Sequence, residues 1–247
     1  MLDYMPLFLF ATICIVLMLG YPVALALAGT ALALPLLATL APAQADTGKL
    51  LLPGSKFRWD IHYSQAGEEI TSHVEMGIYF YPKGQEPKYR TSLSLVPAAL
   101  GTMDIRPNTL SMVEGFTVLR DNARIESFQP HMHLRGKAQE LEAILPTGQT
   151  VVLSYVSNFS FNWHTSYMYA DDAAPLLPKG TVLKVTSWHD NTAANKANPD
   201  PNVWVGFGDR TVDEMNHVWM NVTYLDEPDY LAEVEARRAK LTQQQQQ

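Results

Sequence analysis

An all-β fold is predicted by three features of the sequence. Short stretches alternate polar and apolar residues, glycine and proline signals separate them at close intervals, and only one late segment has the texture of a surface helix. The architecture expected is an antiparallel β-sandwich or jelly roll. An N-terminal transmembrane or signal-like helix precedes it and a short C-terminal helix follows it.

The elements justify themselves in chain order. Residues 4–45 carry no Asp, Glu, Lys or Arg. Runs 6–19 and 23–40 are apolar, with Gly20-Tyr21-Pro22 between them, and a bilayer span needs roughly 20 apolar residues. The sequence therefore predicts attachment to a membrane through residues 4–41, as one tilted span or a tight helical hairpin. Ala43-Gln44-Ala45 is a small-x-small pattern that suits a signal peptidase. No basic residue precedes the run, so the positive-inside rule gives no orientation from that side. The body is expected on the periplasmic or extracellular side.

After residue 51 the texture turns to β. Segments 56–63, 73–81 and 182–188 alternate, and Thr150–Val156 is a short β-rich run. Pro53-Gly54, Pro82-Lys83-Gly84, Pro146-Thr147-Gly148, Pro178-Lys179-Gly180 and Asn198-Pro199-Asp200-Pro201 mark turns. Segments 123–128, 134–145 and 218–225 read as further strands. Residues 228–241 read as a charged helix, with the Gln243–Gln247 run as a frayed tail.

Composition excludes several classes. The 247 residues carry a net charge of −7, and a mildly acidic chain lacks the basic face that nucleic acid requires. The one cysteine, Cys14, lies in the apolar segment. The body therefore has no disulfide, zinc-thiolate site or cysteine nucleophile.

The sharpest chemical signal is Gln129-Pro130-His131-Met132-His133. Residues two apart on a strand share a face, so His131 and His133 would present two imidazoles side by side. That pattern suits two metal ligands, and equally a polar strand edge. Met215 stands at the start of the strand 218–225, after the polar turn from Gly208 to Glu214. As a ligand it would complete a set of two imidazoles and a thioether, which suits copper better than zinc, magnesium or calcium. As a core residue it would simply pack. His62, His164, His189, His217 and the methionines are the candidates for a third donor, with His164 reading more readily as a surface or packing histidine and His73 as solvent-facing. His189-Asp190-Asn191 reads as loop architecture held by Asx side chains.

His131-Met132-His133 followed some eighty residues later by Asp213-Glu214-Met215 resembles the copper type II, ascorbate-dependent monooxygenases, the family of the peptidylglycine and dopamine hydroxylases. The stretches PHMHLRGKAQELEAILPTGQ, FNW, LPKGT, HDNTAANKANPDP and GDRTVDEM are similar to its bacterial branch, and the likeness spans about 51–225. The resemblance implies a copper held by His131, His133 and Met215, with O₂ and a small-molecule substrate bound beside it and ascorbate or another one-electron donor as reductant. A second copper of the family takes three histidines. Ile61-His62-Tyr63 resembles the strand of its third ligand, while the adjacent His-His pair that supplies the other two has no counterpart before His62. The second site is thus expected to be incomplete, with one copper per chain or a partner supplying the absent copper domain.

Strand alternation sets Gln129 beside His131, and His217 and Trp219 beside Met215, as substrate or supporting contacts. In the peptide-amidating member the resemblance aligns Gln129 and His217 with an arginine and an asparagine that hold the peptide carboxylate, and Trp219 with a tyrosine. The residues here imply a less anionic ligand. The opening sequence, MPLFLFATICIVLMLGYPVALALAGTAL, resembles the first helix of the large permease subunit of TRAP-type transporters. The expected division is an apolar anchor or signal-like segment at 1–45, a remnant of the first copper domain at 46–95, a methionine-copper β-sandwich at 96–226, and the charged helix and Gln-rich tail at 227–247. Two other functions stay open: a single-copper binding or electron-transfer module without hydroxylase activity, and a metal-free β-sandwich that binds a partner.

Overall fold

The computed structural model describes residues 46–59, 67, 69, 71–97 and 103–245. The apolar segment 1–45 and the Ile61-His62-Tyr63 stretch lie outside them. The fold is all-β with one helix at the C-terminal end. One sheet has seven strands: β1 (Thr47–Gly48), β2 (Tyr89–Pro97), β4 (Asn122–Ile125), β5 (Ser127–Met132), β8 (Tyr167–Met168), β9 (Leu176–Leu177) and β11 (Asn216–Leu225). The other has four, in the order β3 (Leu110–Val118), β10 (Val182–Asp190), β6 (Gly136–Ile144) and β7 (Thr150–Val156). Among the described residues no helix is long and apolar enough to cross a membrane.

The two sheets share one core, in the manner of a sandwich. Val96, Ala123, Ile125, Phe128, Val218, Met220 and Val222 come from the larger sheet, and Leu141, Ala143, Leu183 and Val185 from the smaller. All are buried, and each contributes on the order of 1.5–3 kcal/mol if large and aliphatic or aromatic. The turn signals fall where strands reverse: Gly148 (φ 86°) between β6 and β7 and Gly180 (φ 84°) before β10 adopt the left-handed backbone that glycine tolerates without strain.

β11 organises the larger sheet. β2 pairs along one edge, from His217↔Pro97 to Thr223↔Thr91. Along the other edge β4 pairs with its second half and β5 with its first. These two do not form one continuous strand. Val222 pairs with Ile125, whereas Trp219 pairs with Gln129, so one extra residue is accommodated between Ile125 and Gln129. Such a bulge inverts the side-chain alternation. Ala123 and Ile125 face the core at odd positions, and Phe128, Pro130 and Met132 occupy it at even ones. The inversion turns Gln129 and His131 to the outer face. Without it, His131 would be driven into the apolar core.

The outer face is covered at the β4 end by α1 (Glu227–Gln245). Asp226 caps this helix, its side chain accepting the Asp229 amide at 2.9 Å. Buried Arg124 donates to Glu233 of the helix at 2.6 Å and to Asp46 at 2.8 Å, and Asn122 donates to Glu227 at 2.6 Å. The helix extends further into the glutamine run than the expected 228–241, because glutamine is a good helix former.

Two expected strands are not found among the described residues, and the first is 56–63, whose described part, 56–59, belongs to no strand. Residues 73–81 belong to no strand, and Tyr79 and Phe80 are 83% and 73% exposed. Alternation supplies a strand with a face but not with a neighbour, and among the described residues this segment has no paired edge to complete its backbone hydrogen bonds. Segment 182–188 alternates similarly and forms the centre of β10 because β3 and β6 flank it on both sides.

Candidate metal centre

Four histidines gather on the outer face at the end of the sheet remote from α1. His131 of β5 pairs directly across from His217 of β11, and their rings stack at 4.3 Å with a 17° tilt. His133 follows β5 immediately, its ring 5.5 Å from His131 and turned by 77°. His164 arrives on the loop between β7 and β8, with its ring 4.8 Å from His131 and nearly perpendicular to it at 85°. His131, His133 and His164, with Phe161, Asn162, Asp209 and Thr211, line a cavity of about 360 Å³.

Buried carboxylate chemistry ties the site together. Glu214 is fully buried, and its side chain accepts the backbone N–H of His133, of Arg135 at 2.9 Å and of Met215 at 3.2 Å. One side chain thus joins the end of the His131–His133 strand to the segment that carries Met215. Burial pushes the Glu214 carboxyl up to about 7, against the pull of the three amides and of Arg135. Arg135 extends the tie. Its guanidinium donates to the Asn191 side chain at 2.8 Å and to the Val212 carbonyl at 2.9 Å. The Gly208–Asp213 loop is closed by Arg210, which donates to Asp213 at 2.6 Å and 2.9 Å.

Met215 precedes β11 by one residue and is half-buried. Asn216 pairs with Met132, and continuing that register by one position sets Met215 opposite His133. Gln129 and Trp219 form the next outward pair beyond His131 and His217. Gln129 donates to the His164 carbonyl at 3.3 Å, so it anchors the loop that brings His164 in. Trp219 meets the His217 ring edge-on at 5.4 Å. Asp190, at the end of β10, accepts the Thr192 amide at 2.9 Å, and Asn191 bonds the Arg106 and Val203 carbonyls. The Asx loop architecture expected there is present, although His189 and Asp190 themselves belong to β10.

Burial disfavours charge on two of these imidazoles, His217 and His164. Burial pushes His217 down to about 4, and charge on His133 or His164 would push it further. Burial likewise lowers His164, with His133 adding to the effect. His133 Nδ1 lies 3.2 Å from the Asp213 carbonyl, an arrangement that makes Nδ1 the donor and puts the ring's lone pair on Nε2. Neutral imidazoles oriented from behind by a carbonyl are suited to bind a borderline metal ion. Imidazole donors suit borderline ions and are unsuited to magnesium or calcium. Among the described residues no three His, Cys, Asp or Glu side chains stand in closed coordination geometry, so a centre built on His131 and His133 draws its third donor from a thioether or from a side chain that turns inward.

Sequence reasoning treated His164 as a packing histidine. Its approach depends on Phe159, Phe161 and the Gln129 contact, and only the aromatic spacing Phe159-x-Phe161-x-x-His164 hints at it in the sequence. No protein-family model matches the chain, and a search of curated proteins returns no relative.

Proposed function

We propose that this chain is a copper-binding β-sandwich of the copper type II, ascorbate-dependent monooxygenase kind, with His131, His133 and Met215 as the ligands of one ion. The observation that carries the reading is the pair of imidazoles, His131 and His133, on one strand end, joined to Met215's segment through one buried carboxylate. Bound there, copper supplies one-electron redox chemistry and reactivity toward O₂.

The chain's own residues have separate tasks. His131 and His133 hold the ion in either oxidation state, while the Met215 thioether favours the reduced one. Glu214 fixes the spacing between the two ligand-bearing segments. The cavity beside His131 and His133 receives a substrate of modest size, with Asn162, Asp209 and Thr211 offering it hydrogen bonds and Phe161 an apolar wall. Gln129, His217 and Trp219 act as supporting or substrate-facing groups. The reaction balances as substrate C–H, O₂, two electrons and two protons giving C–OH and water, with ascorbate as donor. The N-terminal segment serves as membrane anchor or export signal, with the body on the periplasmic or extracellular side.

A second reading is a one-copper binding or electron-transfer module. Oxygen uptake with ascorbate and candidate substrates separates the two: substrate-dependent uptake supports the monooxygenase, and copper binding without uptake supports the module. Met215→Ala should weaken Cu(I) binding more than Cu(II) binding. Equal losses, or none, would remove Met215 from the ligand set.

A further inference from the structure

Three observations concern His164 and are independent of the sequence motif. Its Nε2 is buried and has no hydrogen-bond partner among the described residues. A buried ring nitrogen without a partner costs roughly 1–3 kcal/mol and calls for an explanation. The Phe161 carbonyl bonds the ring, and since Nε2 is the unpartnered nitrogen, that bond belongs to Nδ1. Nε2 therefore carries the lone pair. This is the arrangement of a metal-binding histidine, with one nitrogen oriented by a carbonyl and the other available to an ion. Finally, the ring shares the His131 and His133 cavity.

Ring orientation distinguishes His164 from His217. Stacked rings 17° apart carry nearly parallel in-plane lone pairs, which do not converge on one ion. Rings at 77° and 85° to His131 can aim theirs at a common point. The loop carrying His164 is held through Gln129 and through Phe159, whose amide donates to the Lys137 carbonyl at 2.9 Å. That leaves the His164 side chain to turn into the cavity without unfolding a strand.

We infer that His164 is a third imidazole ligand at the His131/His133 centre, recruited when the ion is Cu(II). The inference rests on the copper reading above and deepens it. An oxidised copper ion favours a tetragonal set of nitrogen and oxygen donors, whereas the reduced ion accepts the thioether. His164 and Met215 would thus serve opposite oxidation states, and the protein would exchange one for the other as the ion cycles.

The test is pulsed EPR on the full chain loaded with one equivalent of Cu(II), which counts coordinated imidazoles. The wild type should give three. His164→Gln should give two and weaken Cu(II) binding about tenfold or more, equivalent to about 1.4 kcal/mol. His217→Gln should still give three. Two imidazoles in the wild type, three in His164→Gln, or a loss in His217→Gln would overturn the inference while leaving the copper reading intact. Absence of any bound Cu(II) would overturn both. If His164→Gln fails to fold, the wild-type count together with His217→Gln still decides the matter.

Discussion

Acidification should destabilise this fold through His189, and the size of the effect can be worked from its surroundings. The ring is buried on β10, against the Met215 backbone. Burial pushes it down to about 4, the Met215 backbone opposes that shift, and the Arg135 charge adds to it. An unfolded histidine titrates near 6.5. The lowered native value means that His189's contribution is present above about 6.5 and is lost as pH falls through about 4. Between pH 7 and pH 4.5 the unfolded chain gains most of a proton that the native ring refuses, which costs about 2 kcal/mol. With a urea slope of about 2 kcal/mol/M, the midpoint should fall by about 1 M. Other groups titrate in this range. His217 acts in the same direction, and Glu214, raised to about 7, acts in the opposite one. The difference between wild type and His189→Gln isolates the His189 share. Urea unfolding of the metal-free proteins across this range should show the wild type losing about 2 kcal/mol relative to the variant. Parallel stability curves would refute the argument, because they would mean that His189 takes its proton equally well in the native and unfolded states.

Other outcomes follow from single contacts. A Cβ at Gly136 would stand 2.6 Å from the Met132 Cβ and 3.0 Å from the Phe159 ring, so Gly136→Ala should lower stability by about 1–3 kcal/mol, read by thermal unfolding. Glu214→Ala removes the acceptor of three backbone amides and should cost about 3 kcal/mol, or roughly 6–12 °C in Tm, with a loss of copper affinity measured by competition. An unchanged Tm would show that water replaces the carboxylate without loss. Arg124→Met strips the buried Glu126 of its ion-pair partner and should cost about 3–5 kcal/mol. Adding Glu126→Gln to that variant should restore part of the loss, because the uncompensated charge disappears.

The sequence and the structure agree best where a pattern has neighbours to act on. The Gly148 and Gly180 turns and the alternation at 182–188 follow from local chemistry, and two flanking strands make β10 of that alternation. The same alternation at 73–81 yields no strand, because periodicity carries no information about whether an edge is available. The bulge after Ile125 was invisible, since residues 123–128 read as one strand. It is nonetheless what sets the facing of His131 relative to Ala123 and Ile125. The His131/His133 pair stands out because the two residues lie two positions apart and share one local rule. His164 did not, since its place depends on a loop folding back over β5, a long-range event with only two phenylalanines to announce it.

The central claim is that two imidazoles on one strand end hold a copper ion. Metal analysis after equilibrium dialysis against copper tests it most directly, on the wild type and on the His131→Ala/His133→Ala double variant. One tightly held copper per chain is expected in the wild type, and its loss in the double variant. A wild type that retains no copper, or a double variant that retains it fully, would rule out a copper ion held by His131 and His133.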